Sequence, residues 1–379
     1  MPAPLSRRAL SRRVALALPA LLAAPAVLRA QGAPVKIGLI STFSGPGGYL
    51  GQDIRDAFLL AAADGTLGGV PVQMLIEDDG LKPAQARQIA TRFQKTEGVR
   101  LFTGIVFSNV LGAVAPDLLD EGGIYVSPNA GPSNLAGKDC HPNYWVVSWQ
   151  NDTLHESAGA HASRLGFRHV YLLAPNYQAG KDAITGFRRR FTGEVIGETY
   201  TSLDQTDFAP ELAKIRAAGP DAVFQFHPGG LGITFLRQYQ QAGLLGKIPM
   251  VVAAPSLDST TLAAVGEAAI GVHVSSHWNS DFDNPANKAF VAAFQAKYNR
   301  LPTYYASQGY DTALAIGAAL KGCKGEVADA AAVRTAMRPA AFQSVRGAFR
   351  FGSNQHPVQD WYALEVARGE KGLVLRTQE

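Results

Sequence analysis

The residues with the clearest chemical potential lie where an apolar segment gives way to a helical pattern. Ser108 follows the apolar segment that starts at Leu101 and opens a helical pattern that runs to Glu121. Backbone N–H groups at a helix start have no partner within the helix, and the helix dipole favours negative charge there. The serine hydroxyl can donate as well. Ser108, with Asn109 beside it, is therefore a candidate anion-binding group, although a serine here could also serve only as a helix cap.

Motifs for enzyme chemistry are missing from the sequence. Gly45 and Gly47 follow an apolar segment, but position 50 is leucine, so the dinucleotide-binding pattern G-x-G-x-x-G fails. The sequence also lacks a G-x-x-x-x-G-K-[ST] loop, an H-E-x-x-H motif and a G-x-S-x-G motif. We therefore expect no enzyme activity and no cofactor.

An acidic run and scattered histidines give little indication of a metal site. Residues 77–79 (Glu-Asp-Asp) could bind a metal ion, but acids at a strand end more often face water and support the next helix, which here starts at Pro83. His155 and His161 are six residues apart, a spacing that does not place them on one helix face. We expect no metal site.

Positive charge is concentrated in the first 30 residues. The chain of 379 residues has 35 basic and 31 acidic side chains. Five arginines lie within residues 1–30, which contain no acidic residue, and the remainder carries 30 basic and 31 acidic groups. A nearly neutral body argues against a nucleic-acid partner.

Residues 1–30 have the pattern of an export signal. Arginine pairs are followed by an apolar run from Val14 to Leu28 and by Arg29-Ala30, which predicts cleavage near Ala30-Gln31. The run is short and broken by prolines, so a membrane anchor is the weaker alternative. The stretch SRRVALAL is similar to a twin-arginine signal. We expect a periplasmic protein, in which Cys140 and Cys323 could form a disulfide or remain thiols.

Short apolar segments alternate with helical patterns throughout the rest of the chain. The predicted strands are 35–41, 72–78, 101–106, 124–127, 169–174, 195–201, 222–226, 249–253, 272–276, 347–351 and 361–366. The predicted helices are 51–64, 83–95, 110–121, 153–165, 181–191, 208–217, 232–242, 259–264, 286–298, 305–321 and 329–337. This alternation implies parallel sheets covered by helices on both faces. Because it restarts after residue 150, we expect two α/β lobes with a cleft between them.

Ligands of parallel sheets bind beyond the carboxyl ends of the strands. The loops at these ends are therefore the candidate binding loops. They are residues 42–50, 78–82, 107–109, 128–133, 175–179, 227–230 and 253–258.

Several segments resemble periplasmic solute-binding proteins of the branched-chain amino acid ABC importer type, the leucine/isoleucine/valine-binding protein family. They are VKIGLISTFSGPGGYLGQDIRDAF, EDDGLKPAQARQIA, TGIVFSN, GGIYVSPNAGPSNLAG and PTYYASQGYDTALAIGAAL. The resemblance implies the type I periplasmic binding protein fold: an α/β protein with two Rossmann-like lobes, parallel central sheets and three crossings around a ligand cleft. It also implies that the lobes close on a small solute and deliver it to an inner-membrane ABC permease.

The resemblance further implies where each lobe begins and ends. The first lobe would comprise residues 34–150 and 279–352, and the second would comprise residues 151–278 and 353–379. We expect the protein to act as a monomer.

Two segments of the first lobe match the ligand loops of this family. The resemblance places its carboxylate-binding serine at or beside Ser108. The segment SPNAG matches the second loop, where Asn129 precedes backbone N–H groups of Ala130 and Gly131 that could clamp the other carboxylate oxygen. The alternative is that Gly131 is only a turn residue.

Departures from the amino-acid binders of the family indicate a different ligand. Those proteins hold the α-ammonium with an acid after the strand that here ends near Ala253, yet residues 253–255 contain none. Asp258 is the nearest carboxylate, and it could instead cap the next helix. Gly131 stands where those proteins often have threonine. Because a buried ammonium without a counter-charge is costly, we expect a carboxylate ligand without an α-amino group.

Aromatic side chains on or near the predicted cleft loops favour an aromatic acid. The segments NYQAGKD and FHPGG also resemble a branch associated with aromatic-acid uptake. His227 would either bond the ligand or be an ordinary surface histidine. The aromatic candidates, each of which could equally serve packing, are Tyr49, Phe107, Trp149, Tyr177 and Phe226.

Two other functions fit less well. The same fold could act as a sensor that feeds a membrane kinase or receptor, and sequence alone does not separate sensing from transport. A secreted hydrolase would need a nucleophile–base pair, and none is evident in the sequence.

Overall fold

The computed structural model describes Met1, residues 33–370 and residues 372–378. The predicted cleavage point and the arginine pairs of the export signal lie outside the described residues. Among the residues described, no helix combines the length and the apolar character that crossing a membrane requires. Cys140 is exposed, Cys323 is buried, and both are free thiols.

Strands and helices alternate as the sequence predicts. The strands are β1 Val35–Ser41, β2 Thr66–Leu67, β3 Val70–Asp78, β4 Leu101–Thr103, β5 Ile124–Ser127, β6 Tyr144–Val146, β7 His169–Pro175, β8 Glu194–Thr201, β9 Ala222–Gln225, β10 Met250–Ala253, β11 Val272–Ser276, β12 Arg350–Phe351, β13 Pro357–Val358, β14 Tyr362–Gly369 and β15 Gly372–Thr377. The helices are α1 Gly48–Ala61, α2 Pro83–Lys95, α3 Ser108–Asp120, α4 Ser133–Ala136, α5 Asn151–Arg164, α6 Gln178–Arg190, α7 Ala209–Ala218, α8 Gly230–Gln241, α9 Ser259–Val265, α10 Pro285–Tyr298, α11 Tyr304–Gly322 and α12 Ala330–Met337.

The first sheet has the strand order β2-β3-β1-β4-β5-β6. The pair β2–β3 is antiparallel, and all other neighbouring strands in the sheet are parallel. Its central strands are short and apolar because helices cover both faces. Helix α11 belongs to this lobe, since Ile316 and Leu320 share one buried cluster with Ile37 and Trp145. We call this sheet and its helices the first lobe.

The second sheet has the order β15-β14-β11-β10-β9-β7-β8. Strands β7 to β11 pair in parallel, whereas β14 and β15 add an antiparallel edge from the end of the chain. We call this sheet and its helices the second lobe. The two-lobed α/β architecture is confirmed, with mixed rather than purely parallel sheets. The exact lobe boundaries stay a prediction.

Several short strands escaped the sequence analysis. β6 has three residues and follows a proline-containing turn, so it offers too little alternation to identify. β15 pairs antiparallel with β14 and was not expected. Of the predicted strand 347–351, only Arg350–Phe351 forms a strand in the structure, and it pairs with β13.

A buried arginine joins the chain crossings between the lobes. Arg346 donates to the carbonyls of Val147 (2.7 Å) and Ser148 (3.2 Å), just beyond the last strand of the first sheet. It also donates to Gln359 Oε1 (2.6 Å), which lies on the segment leading to β14. Its charge is balanced by Asp311 on α11, at 3.1 Å. Arg346 therefore fixes two crossings to one another.

Both charges of this pair lie away from water, with side-chain exposures of 4% for Arg346 and 0% for Asp311. Burial lowers the pKa of Arg346 and raises the pKa of Asp311, because each is desolvated. Ser344 Oγ and the Val345 N–H also donate to Asp311. The pair is thus tolerated because the carboxylate and the guanidinium bond each other and further donors and acceptors.

Arg346→Met should lower the free energy of unfolding by about 3–5 kcal/mol, because it leaves the Asp311 carboxylate buried and uncompensated. Urea unfolding measures the change. Arg368→Met, which removes an exposed ion pair with Glu267, is the control and should cost about 0–1 kcal/mol. Equal effects of the two variants would contradict the role given to Arg346.

Candidate ligand-binding site

A narrow cavity lies between the two lobes. Its walls come from loops that follow the carboxyl ends of strands in both sheets, as expected for parallel sheets. The lining residues are Val106, Phe107, Ser108, Asn129, Ala130, Trp149, Asn151, Leu154, His155, Tyr177, Ala179, Phe226, Pro228, Pro255 and Tyr305.

The structure brings most of the predicted site residues to this cavity. Those on its wall are Phe107, Ser108, Asn129, Ala130, Tyr177 and Phe226. Asn109, Gly131, Tyr49 and His227 are not part of the lining. Sequence analysis did not assign Asn151, His155 or Tyr305 to the site. Asn151 lies before the predicted helix 153–165, whereas in the structure α5 begins at Asn151 and places it on the same helix face as His155, four residues on.

The start of α3 presents unused hydrogen-bond donors to the cavity. Phe107 is the N-cap residue and gives no side-chain cap; its carbonyl accepts from Val110 and Leu111. Within the described residues, the N–H groups of Ser108 and Asn109 have no acceptor. Ser108 is thus not the simple helix cap that was the alternative. A positive helix end with free N–H groups suits a carboxylate.

The Ser108 side chain is oriented by the second lobe. Asn151 Nδ2 donates to Ser108 Oγ at 3.1 Å. Because this bond uses the oxygen as acceptor, the hydroxyl proton of Ser108 remains available for another partner. Ser108 is 4% exposed, so that partner must come from inside the cavity.

Gly131 pairs with Asn151 and does not face the cavity, which corrects the expectation for its N–H. The Gly131 N–H donates to Asn151 Oδ1 (3.2 Å), and the Asn151 N–H donates to the Gly131 carbonyl (2.8 Å). A Cβ at Gly131 would lie 2.0 Å from the Trp149 carbonyl oxygen, so only glycine allows this approach. The Ala130 N–H, by contrast, has no acceptor in the described part of the chain.

The buried carboxylate of Asp182, on α6, connects the lobes beside Ser108. Ser133 of the first lobe donates to it twice, from Oγ (2.5 Å) and from its N–H (3.1 Å). Asn151 Nδ2 (3.1 Å) and Gln178 Nε2 (2.8 Å) also donate to it. The network links the two lobes and orients Asn151.

Aromatic rings form much of the remaining wall. Tyr177 and Phe226 are stacked, with an interplanar angle of 12° and centroids 6.3 Å apart. Trp149 packs against Tyr304 at 5.5 Å and also lines the cavity, so it serves packing and the site together. Planar apolar faces of this kind suit a flat ring.

The cavity wall contains no Asp, Glu, Lys or Arg side chain. Burial lowers the pKa of His155 to about 3, so this histidine is neutral. Burial likewise raises the pKa of Tyr177. A bound anion would therefore be held by N–H and O–H dipoles, and an ammonium group would find no counter-charge.

A family model described as "Periplasmic binding protein" matches residues 34–371. The chain belongs to this family. A Leu/Ile/Val-binding protein homolog 6 from Brucella melitensis biotype 1 is 29% identical over 352 residues, covering 89% of each chain.

Solved structures of the same architecture give a closer geometric comparison. An ABC transporter solute-binding protein from R. palustris in complex with benzoate is 30% identical, covers 91% of this chain and 96% of its own, and superimposes with a TM-score of 0.86. A second R. palustris solute-binding protein, in complex with 4-hydroxybenzoate, is 26% identical. It covers 92% of this chain and 96% of its own, and it superimposes with a TM-score of 0.86. These matches confirm the predicted periplasmic binding protein fold.

His227, a predicted ligand contact, lies in the core of the second lobe of this periplasmic binding protein. It is 0% exposed, hydrogen-bonds to Gln225 (2.8 Å) and Thr201 (3.1 Å), and stacks on Phe235 at 4.9 Å. Burial lowers its pKa to about 3. Its side chain turns away from the cavity because the apolar core of the lobe accepts a neutral, bonded imidazole.

Tyr49 and Asp258 bind each other across the lobes instead of lining the cavity. Tyr49 Oη donates to Asp258 Oδ2 at 2.8 Å, and Asp258 Oδ1 caps α9 by accepting from the Thr261 N–H at 2.7 Å. Both carboxylate oxygens of Asp258 are engaged. The predicted capping role of Asp258 is therefore confirmed, and the cavity gains no acid from it.

The acidic run at residues 77–79 serves the loop after β3. Asp78 accepts from the Phe43 and Gly80 N–H groups, and Asp79 accepts from Thr42 Oγ1. Glu77 pairs with an arginine of α2. Among the residues that the structure describes, no cluster of three or more histidines, cysteines or acids could hold a metal ion.

Asp258 should make folding stability pH-dependent. Burial raises its pKa to about 6, so between about pH 4 and 6 the folded protein retains a proton that the unfolded chain has lost. The contribution of Asp258 to the free energy of unfolding therefore decreases as pH rises from about 4 to 6. Asp258→Asn cannot ionise and keeps a capping side chain. Its stability relative to the wild type should rise by about 3 kcal/mol from pH 4 to pH 7, measured by urea unfolding.

Asp283→Asn is the control for this experiment. Asp283 is exposed and its pKa is lowered by Lys288, so its removal should give a smaller change of opposite sign. A stability difference for Asp258→Asn that does not vary with pH would contradict the assignment.

Proposed function

We propose that this protein is the solute-binding component of an ABC importer and captures a small aromatic carboxylate between its lobes. The observation that carries the proposal is the composition of the cavity. It offers the Ser108 and Ala130 N–H groups and the Ser108 hydroxyl as donors, places aromatic faces beside them, and has no charged side chain.

The absence of an acid on the cavity wall favours an acid ligand over an amino acid. An α-ammonium buried there without a counter-charge would cost several kcal/mol. The benzoate and 4-hydroxybenzoate complexes of the two R. palustris proteins support an aromatic acid. The name of the Brucella relative points to branched-chain amino acids, so both classes belong in the test.

Capture would proceed by closure of the lobes, proposed as residues 34–150 with 279–352 and residues 151–278 with 353–379. The ligand carboxylate binds first at the start of α3 and at Ala130. Tyr177 and Phe226 then cover the ring, and the Asp182 network forms. Ligand drives closure only through its higher affinity for the closed form.

Location and partners follow from this role. Residues 1–30 would direct export to the periplasm, in our proposal by the twin-arginine route, and be removed. The monomer would then present its closed lobes to an inner-membrane permease.

The direct test is a thermal-shift panel on the mature chain, unfolded and refolded to remove carried-over ligand. It includes benzoate, 4-hydroxybenzoate, leucine, isoleucine and valine. The sharpest pair is 3-phenylpropionate against phenylalanine, which differ only in the ammonium group. Ligand at 100 times its Kd stabilises by about 2.7 kcal/mol, a shift of a few degrees.

We expect shifts with the aromatic acids and none with phenylalanine or the branched-chain amino acids. A response to leucine, isoleucine or valine alone would replace aromatic acids with amino acids as the ligand. No response to any carboxylate would overturn the proposed solute class.

Ser108→Ala should weaken binding of the aromatic acid about ten- to hundredfold, because it removes a hydrogen bond to a charged group worth about 1.5–3 kcal/mol. Isothermal titration calorimetry gives the Kd. Ser157→Ala is the matched control, since Ser157 Oγ donates to the Leu154 carbonyl on the same lobe as Asn151 and Ser157 is not on the cavity wall. Unchanged affinity in Ser108→Ala would remove this hydroxyl from the site.

A further inference from the structure

The polar groups of the cavity form two sets with different chemistry. One set, at the start of α3 and at Ala130, consists of hydrogen-bond donors that suit a carboxylate. The other is the His155 imidazole on α5. His155 lies four residues after Asn151, about 6 Å along the helix axis. Since Asn151 contacts Ser108 Oγ, His155 is displaced along the wall from the carboxylate end.

His155 is buried without a hydrogen-bond partner. It is 1% exposed, its Nδ1 is unsatisfied, and neither ring nitrogen bonds to another described residue. Edge contacts with Phe224 (5.7 Å) and Phe226 (4.8 Å) hold the ring in place. Leaving such a group unpaired is unfavourable, and His155, unlike the equally unpaired His161, lies on the cavity wall, where a ligand group could bond to it.

The chemistry of that ligand group follows from the state of the imidazole. Burial lowers the pKa of His155 to about 3, so it is neutral, with one donor nitrogen and one acceptor nitrogen. A neutral imidazole does not balance a carboxylate charge. A hydroxyl group both donates and accepts, and therefore matches either nitrogen in either tautomer.

We propose that His155 is a specificity-determining residue that hydrogen-bonds a ring hydroxyl of the bound acid, so that hydroxylated benzoates are preferred to benzoate. This inference rests on the proposed function. It assigns the carboxylate to the start of α3 and Ala130, the ring to Tyr177 and Phe226, and the hydroxyl to His155.

The test measures Kd by calorimetry for benzoate, for 3- and 4-hydroxybenzoate, and for 3- and 4-methylbenzoate, which replace the hydroxyl with an apolar group of similar size. His155→Phe keeps a ring against Phe224 and Phe226 but cannot hydrogen-bond. His155→Gln retains a donor and an acceptor. His161→Phe is the matched control, because His161 is also buried with an unpaired Nδ1 but packs against His273, away from the cavity wall.

For the wild type we expect one hydroxybenzoate to bind about tenfold or more tightly than its methyl counterpart, equivalent to about 1.4 kcal/mol. His155→Phe should bring this ratio to about one. His155→Gln should retain part of the ratio, and His161→Phe should retain all of it.

Two results would overturn the inference while the proposed function stands: a wild type that binds aromatic acids without preferring the hydroxyl, or an equal loss of affinity for every acid in His155→Phe. Failure of the proposed function is distinct, because the wild type would then bind none of the aromatic acids, benzoate included.

Discussion

The Asp182 carboxylate accepts hydrogen bonds from both lobes at a position closed to water. A buried charge of this kind persists only when its lone pairs are fully used. Ser133, Asn151 and Gln178 are therefore held in one arrangement. Asn151 in turn orients the Ser108 hydroxyl and pairs with Gly131, so the shape of the donor end of the cavity depends on Asp182. In the proposed closure mechanism, water would replace these bonds when the lobes separate.

Arg346 links the chain crossings between the lobes. Its guanidinium binds backbone carbonyls and a side chain on two crossings and is neutralised by Asp311 on α11. If this ion pair broke, neither Arg346 nor Asp311 would find another charged partner, because both side chains are buried in the first lobe. The crossings are thus fixed to one another by a pair that is removed from water. Fixed crossings would suit the hinge that the proposed closure requires.

The neutrality of the cavity decides what the site can hold. Free N–H groups at a helix start stabilise an anion without a cationic side chain. These N–H groups do not stabilise an ammonium. Asp258, the acid nearest to residues 253–255, accepts hydrogen bonds from Tyr49 and from the first turn of α9 instead. The same polypeptide architecture can therefore serve acids or amino acids according to whether one carboxylate reaches the cavity wall.

The sequence by itself determined the alternation of strands and helices, the two-lobed architecture and the loops that border the cavity. Phe107, Ser108, Asn129 and Ala130 could be found because the carboxyl ends of parallel strands meet at one edge of a sheet. Tertiary structure alone decided which way each side chain and N–H points. His227 follows β9 directly, yet its imidazole turns into the core because Gln225 and Thr201 satisfy it there. Tyr305, far along the chain, and Asn151 and His155, beyond a crossing, reach the cavity only through packing between distant segments, which local periodicity does not encode.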